Sequence, residues 1–271
     1  METVVLFADI SGFTMISEAC AAMGVRGNEE LAFCINRYME GMVKALGKYG
    51  GDIIKFVGDA MIVMWPRIGD QTDDKITVVR KAIQCALDIQ NDMNNKKIMS
   101  NVTNLSVKIG IGFGDCALLY VGGVFNRAEF FTVGDALTQA LNSEENATAG
   151  GQIIVSAPAW SHVSQFFESD ELTNEHGKRF YKISGMISGI RTRADAVLLR
   201  NLIQPDNFPK IIGKLKACVP AAIMPYLEIG YEQFGSETRR LTVMFASLGI
   251  DLSSARTKAG MEKIQKIVTT V

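Results

Sequence analysis

Hydrophobic and polar positions change period several times along this chain, and each change marks an element. Thr3 to Ala8 is an unbroken apolar, β-branched run, the pattern of a strand buried on both faces. The segment Asp9-Ile10-Ser11-Gly12-Phe13-Thr14 interrupts it with a glycine turn. From about Asn28 to Tyr49, Leu31, Ile35, Tyr38, Met42 and Leu46 recur at three- and four-residue spacing. That spacing predicts a helix, closed by Gly50-Gly51. Asp52 to Val57 and Ala60 to Trp65 are short apolar runs separated by Gly58-Asp59, the pattern of a tight hairpin. A second helix is predicted over Lys75 to Met93, with Val79, Ala82, Ile83, Ala86, Ile89 and Met93 facing inward. Val107 to Phe113, Ala117 to Val121 and Phe130 to Val133 read as further strands. Asp135 to Ala147 reads as a helix and Gln152 to Val155 as a last short strand. Ser156 with Pro158 reads as the cap and first turn of one more helix.

This order is strand, helix, hairpin, helix, then an antiparallel set. It predicts an α+β fold with helices over one antiparallel sheet, not an alternating parallel one. The first domain is expected over residues 1–200. Residues 201–237 carry Pro205, Pro209, Pro220 and Pro225 and read as a linker. Within residues 238–271, Thr242 to Leu248 overlays Val4 to Ile10, and an amphipathic start follows from Met261 to Val268. The expectation is the opening of an internal repeat, with Ser247 in place of the acid.

Charge and cysteine narrow the function. A formal net charge of −1 argues against a broad nucleic-acid or anionic-membrane footprint, while leaving room for a local phosphate site. The 5 cysteines are odd in number and include no C-x-x-C pair, which argues against structural zinc or a disulfide framework. No apolar run reaches membrane-spanning length, so a cytoplasmic protein is expected.

Two acids stand out by position. Asp9 sits where a buried strand breaks, and Asp59 sits at a hairpin tip. Either alone is an ordinary turn residue. Converging as a pair at a sheet edge, they would repel unless divalent cations neutralised them, the arrangement used for phosphoryl displacement. Gly12-Phe13-Thr14 follows, a turn able to offer consecutive N–H groups to phosphate. Lys55 and Lys108 each interrupt an apolar strand, and such a cation either meets an anion or snorkels to solvent. Gly110-Ile111-Gly112-Phe113-Gly114 lies inside a strand and opens no helix, so it predicts close packing or a bulge, not dinucleotide binding.

Phe7-Ala8-Asp9-Ile10-Ser11-Gly12-Phe13-Thr14, together with Gly50-Gly51-Asp52-Ile53-Ile54-Lys55-Phe56-Val57-Gly58-Asp59-Ala60, closely resembles the class III nucleotidyl cyclases. Spacing and flanks are most similar to the first catalytic domain of the bicarbonate-responsive soluble adenylyl cyclases. The resemblance implies a ferredoxin-like, palm-like sheet and conversion of ATP to cyclic AMP between two paired cyclase domains. It implies that Asp9 and Asp59, assisted by the Ile10 carbonyl, bind two ions of Mg2+ or Mn2+, with Ca2+ a further candidate. Gly12, Phe13 and Thr14 would hold the triphosphate, and Lys108 its terminal phosphates. Lys55 and Thr132 would line a second, bicarbonate-type pocket. The arginine implied for that pocket is replaced here by Leu141 or Asn142, which leaves Lys55 a poor anion site on its own.

A complete partner carries an Asn and, four residues on, an Arg that stabilises the transition state. Here those positions hold Thr138 and Asn142. The expectation is therefore a metal-providing half that needs a complementary cyclase domain, with little or no turnover by the chain alone. Two alternatives stand beside it: a non-catalytic pseudo-cyclase module that binds nucleotide or regulates a partner, and a guanylyl cyclase.

Overall fold

Val4, Leu6, Ala8 and Ile10 on one face of the first strand, and Thr3 and Val5 on the other, are all buried, so this strand takes the middle of the sheet. The computed structural model describes residues 1–67, 74–95, 104–124, 127–187, 208–219, 223–225 and 257–270, with residues 242, 247, 249 and 255. The central strand β1 (Glu2–Ser11) pairs antiparallel with β3 (Ala60–Pro66) on one side and β4 (Ser106–Val124) on the other. With β2 (Asp52–Val57), β5 (Arg127–Gly134), β6 (Ile153–Ser156), β7 (Phe167–Thr173) and β8 (Arg179–Met186), the sheet order is β2-β3-β1-β4-β6-β8-β7. β5 pairs with β4 off that path.

The helices are α1 (Phe13–Ala22), α2 (Val25–Lys48), α3 (Lys75–Met93), α4 (Asp135–Glu145), α5 (Ala157–Trp160), α6 (Phe208–Ala217) and α7 (Lys258–Val268). One core joins Ile16 and Cys20 of α1, Tyr38, Met42 and Leu46 of α2, and Val79, Ile83 and Ile89 of α3 to the inner face of the sheet. Tyr38 donates its hydroxyl to the Met93 carbonyl at 3.1 Å, which ties α2 to the end of α3. The start of α3 is fixed by Asp74, whose carboxylate accepts from the Thr77 N–H at 2.6 Å.

The α+β fold class stands, with two refinements to the expected single-faced antiparallel sheet. β4 and β6 run parallel, with Ile109 to Ile111 beside Ile153 to Val155. Helix α4 covers the opposite face from α1, α2 and α3. Ile109, Ile111 and Phe113 of β4 enter the main core. The alternating Gly110 and Gly112 therefore point the other way, and there α4 backbone fills the space a Cβ would need.

Several element boundaries also move. The segment after Gly12 forms α1, a helix the sequence pattern did not predict, and α2 begins at Val25, before Asn28. The two strands expected on either side of Gly114-Asp115 are one, because β1 keeps pairing with β4 as far as Glu2 opposite Asp115. β7 and β8 form an antiparallel pair beyond the last expected strand.

Contacts divide the chain into two units, residues 1–116 with 134–196, and residues 117–133 with 197–271. The first holds most of the sheet and helices α1 to α5. In the second, Leu119, Val121 and Val133 of the β4–β5 hairpin pack with Ala255 and with Ile264 of α7. The Gln265 side-chain amide there accepts from the Gly122 N–H at 3.0 Å and donates to the Gly122 carbonyl at 2.7 Å. Helix α6 lies within the stretch expected as linker, and α7 starts at Lys258, three residues before Met261. Most of the Thr242 to Leu248 repeat lies outside the described residues. No helix among the described residues is long and apolar enough to cross a membrane.

Candidate active site

The sheet's central ladder places the acids. Asp9 near the end of β1 stands opposite Ala60 on β3 and Lys108 on β4. Ala60 follows Asp59 directly, so the Gly58-Asp59 turn delivers the second carboxylate to the same end of the sheet. Gly58 makes that turn at φ 64°, a left-handed conformation open to glycine without strain. The Asp9 carboxyl is pushed above its ordinary range, first by burial and then by the Asp59 charge, while Lys108 pulls the other way.

Such a pair is the electrostatic complement of a hard divalent cation. Carboxylate oxygens are its usual ligands, and its charge would relieve the repulsion that burdens Asp9. Among the described residues no group of 3 or more His, Cys, Asp or Glu forms a protein-only metal cage. The pair therefore suits an ion that also takes oxygens from backbone or from a bound ligand.

Gly12 ends β1 and starts α1. It sits at φ 96°, and a Cβ there would come within 3.2 Å of the Asn104 carbonyl. Phe13 and Thr14 are the first residues of α1, so their N–H groups have no acceptor within the helix, two residues beyond Ser11 and close in sequence to Asp9. A helix N-terminus near two carboxylates could offer donors to an anion while the carboxylates take a cation.

Lys108 is joined by a residue that the sequence pattern did not single out. Its ammonium lies 4.0 Å from Glu144 Oε1 on α4. Burial pushes the Glu144 carboxyl up, repulsion from Asp9 adds to this, and Lys108 opposes it. Helix α4 comes this close because Gly110 and Gly112 put no side chain beneath it. A Cβ on Gly110 would lie 2.0 Å from the Ala140 carbonyl oxygen and 2.4 Å from the Glu144 nitrogen. A Cβ on Gly112 would lie 2.2 Å from the Ala136 carbonyl oxygen. The glycine run is thus a packing device, as its position inside a strand predicts. Gln139 adds a polar stitch, accepting from the Phe113 N–H at 3.1 Å and the Ser156 hydroxyl at 2.7 Å. The available signal for Glu144 was the matching spacing of small residues, Gly110 and Gly112 on the strand against Ala136 and Ala140 on the helix.

The fold therefore gathers Asp9, Asp59, Lys108 and the Ile10-to-Thr14 turn within the first unit, with Glu144 added. Lys55 is exposed on β2 in that unit, beside a bulge between Ile53 and Lys55. Thr132 is buried on β5 in the second unit. On α4, the exposed Thr138 donates its hydroxyl to the Gly134 carbonyl at 3.2 Å, and the Asn142 carbonyl accepts from the Asn146 side chain at 2.6 Å.

The family model of the adenylate and guanylate cyclase catalytic domain matches residues 1–184. The adenylate cyclase type 10 of Rattus norvegicus is 33% identical over 159 residues, which are 58% of this chain and 10% of that protein. An adenylate cyclase of Anabaena cylindrica is 31% identical over 141 residues, 52% of this chain and 26% of its own length. The chain thus spans a tenth to about a quarter of the length of these curated relatives. Among solved structures, the adenylyl cyclase CyaB from P. aeruginosa superposes with a TM-score of 0.57 at 22% identity, over 70% of this chain and 97% of that one.

Proposed function

The chain belongs to the adenylate and guanylate cyclase catalytic domain family, and from that membership we propose that it is the metal-holding half of an adenylyl cyclase, converting ATP to 3′,5′-cyclic AMP and pyrophosphate. One observation carries the reading: Asp9 and Asp59 converge beside Lys108 at the N-terminus of α1. A scaffold has no use for two carboxylates brought to one end of the sheet, where burial and the Asp59 charge raise the Asp9 carboxyl.

Asp9 and Asp59, with the Ile10 carbonyl, would hold two Mg2+ or Mn2+ ions. Those ions, when bound, supply charge neutralisation and ease deprotonation of a hydroxyl. The chain's own part is binding and orientation. The N–H groups of Gly12, Phe13 and Thr14 receive the triphosphate, and Lys108 meets its terminal phosphates. Held so, the 3′-hydroxyl oxygen bonds to the α-phosphorus and its proton leaves to solvent. The bond from that phosphorus to the bridging oxygen of the β-phosphate breaks, and pyrophosphate departs. Adenine over guanine rests on the adenylate cyclase relatives, because base choice lies with the partner domain.

Thr138 and Asn142 favour the half-site version. Neither offers the charge of an arginine, so a complementary cyclase domain must supply it. The second reading, a pseudo-cyclase module that binds nucleotide or regulates a partner, draws on the same two residues.

The test is Mn2+-dependent cyclic AMP formation, with product identified by mass, for the chain alone and mixed with a complementary cyclase domain. The expected result is little product alone, product in the mixture, and none with Asp9→Ala. Mn2+-dependent ATP binding without product in any mixture would favour the pseudo-cyclase. Absence of both product and binding overturns the cyclase reading.

A further inference from the structure

Lys108 has an acid opposite it on each side. Asp9 is its partner across the β1–β4 ladder, the position where opposite charges normally pair. Glu144 reaches it from α4. Among the described residues the ion-pair partner of Lys108 is Glu144, not the Asp9 that faces it across the ladder.

Glu144 sits in a confined place. Its side chain is only 14% exposed, and the backbone beneath it is locked against Gly110. The Lys108 side chain, at 30% exposed, keeps one end in contact with solvent.

Resting on the reading that Asp9 and Asp59 hold divalent cations, we propose that Glu144 is a positioning residue that anchors the Lys108 ammonium toward α4. Without that anchor the ammonium becomes the counterion of Asp9 and competes with a divalent cation for the same carboxylate. With it, Asp9 stays open to metal, and Lys108 stays beside the site, ready for phosphate. Glu144 then influences metal binding through Lys108, so its effect must vanish when residue 108 carries no charge. A general field effect of one more carboxylate would persist without Lys108. A merely structural role would appear as lost thermal stability.

The test uses Mn2+ alone as the probe, with free ion counted by electron paramagnetic resonance. The full chain is compared with Glu144→Gln, Lys108→Met, the double variant and Asp9→Asn, each checked by thermal unfolding. Glu144→Gln is expected to bind Mn2+ about fivefold more weakly, the scale of one partly exposed ion pair. In the Lys108→Met background the same substitution is expected to change affinity by less than about twofold. Should the glutamine variant not fold, Glu144→Met closes the same cycle. An unchanged affinity in Glu144→Gln, or an equal loss in both backgrounds, overturns the proposal while leaving the metal reading intact. If the wild-type chain binds Mn2+ no better than Asp9→Asn, the metal reading itself falls, and this proposal with it.

Discussion

Lys108 faces Asp9 directly across the β1–β4 ladder, yet its ammonium lies 4.0 Å from Glu144 on α4. Among the described residues, Asp9, Asp59 and Glu144 gather around Lys108, a local surplus of negative charge. Burial and Asp59 raise Asp9, while burial and Asp9 raise Glu144. An arrangement of this kind costs stability, a cost that a bound cation would offset.

That cost gives a pH prediction. A carboxyl whose folded pKa is raised binds more protons in the folded chain than in the unfolded one between its ordinary and its raised value. The contribution of Asp9 to stability is therefore full below the ordinary carboxylate range and is lost as pH rises through the raised value. Glu2, lowered by its hydrogen bond from Lys75 and by the charges of Lys75 and Arg67, runs the opposite way. So does Asp74, lowered by its bond from the Thr77 N–H. The wild-type curve mixes these effects, but a difference curve isolates Asp9 together with the repulsion it exerts on Glu144. In EDTA, Asp9→Asn is expected to unfold a few degrees above wild type at about pH 7, with the gap closing toward about pH 4. Excess Mn2+ should reverse the gap at neutral pH by raising the wild type. Thermal unfolding read by circular dichroism checks both, and a gap independent of pH would contradict the account.

Gly110 is expected to tolerate no side chain. Its Cβ would stand 2.0 Å from the Ala140 carbonyl oxygen, which is backbone and has no rotamer to yield. Gly110→Ala must push α4 from the sheet, and overpacking of this kind typically costs about 1–3 kcal/mol. Because Glu144 rides on the same helix, Mn2+ affinity should fall together with stability. Gly58→Ala tests a different constraint. The space is open there, so the cost is the positive φ alone, about 1 kcal/mol. Urea unfolding of the two variants separates the mechanisms.

Both acids were legible in the sequence because each is a local event. Asp9 ends a buried run and Asp59 occupies a two-residue turn. Their convergence was legible too, since a first strand beside a central hairpin brings strand end and turn tip together. Helix α1 was not, because only Ile16 and Cys20 of its 10 residues are buried, too few to write an apolar stripe. β7 was missed for a related reason: Phe167 is its one fully buried residue, so the strand reads as a polar loop. Glu144 left only an indirect trace, the small-residue spacing shared by β4 and α4. Its position depends on how closely α4 approaches β4, a tertiary distance set by two glycines more than 30 residues away in sequence.

In the second unit, Ile264 is expected to hold α7 to the β4–β5 hairpin. It is 3% exposed and closes the cluster of Leu119, Val121 and Val133. Ile264→Ala should cost about 2 kcal/mol, the low end for such a truncation, because the cluster is small. Gln265→Ala removes both bonds to Gly122 and exposes the end of the hairpin's ladder. Hydrogen exchange should show lost protection at residues 117–133 in both variants. Unchanged protection there would mean that the hairpin holds its structure without α7.

On α4 the positions that would carry the transition-state groups hold Thr138 and Asn142. Thr138 is exposed and spends its hydroxyl on the Gly134 carbonyl of its own helix start, and Asn142 lies four residues further along α4. Neither position is buried, so both should accept larger side chains without disturbing the core. If the chain alone turns over little ATP for want of those transition-state groups, Thr138→Asn with Asn142→Arg restores the pair implied by the family resemblance. Each half-site in a pair of such chains would then hold acids from one copy and the Asn and Arg from the other. Cyclic AMP formation with Mn2+ should rise by about a hundredfold or more over wild type, the scale of one restored charge-stabilising group. An equimolar mixture of Asp9→Ala chains with chains carrying only the native Thr138 and Asn142 should stay silent. A mixture of the Thr138→Asn, Asn142→Arg chain, made also Asp9→Ala, with wild-type chains should recover turnover, because one interface still unites both halves. Failure of that complementation with folded proteins would place the deficit elsewhere than on α4.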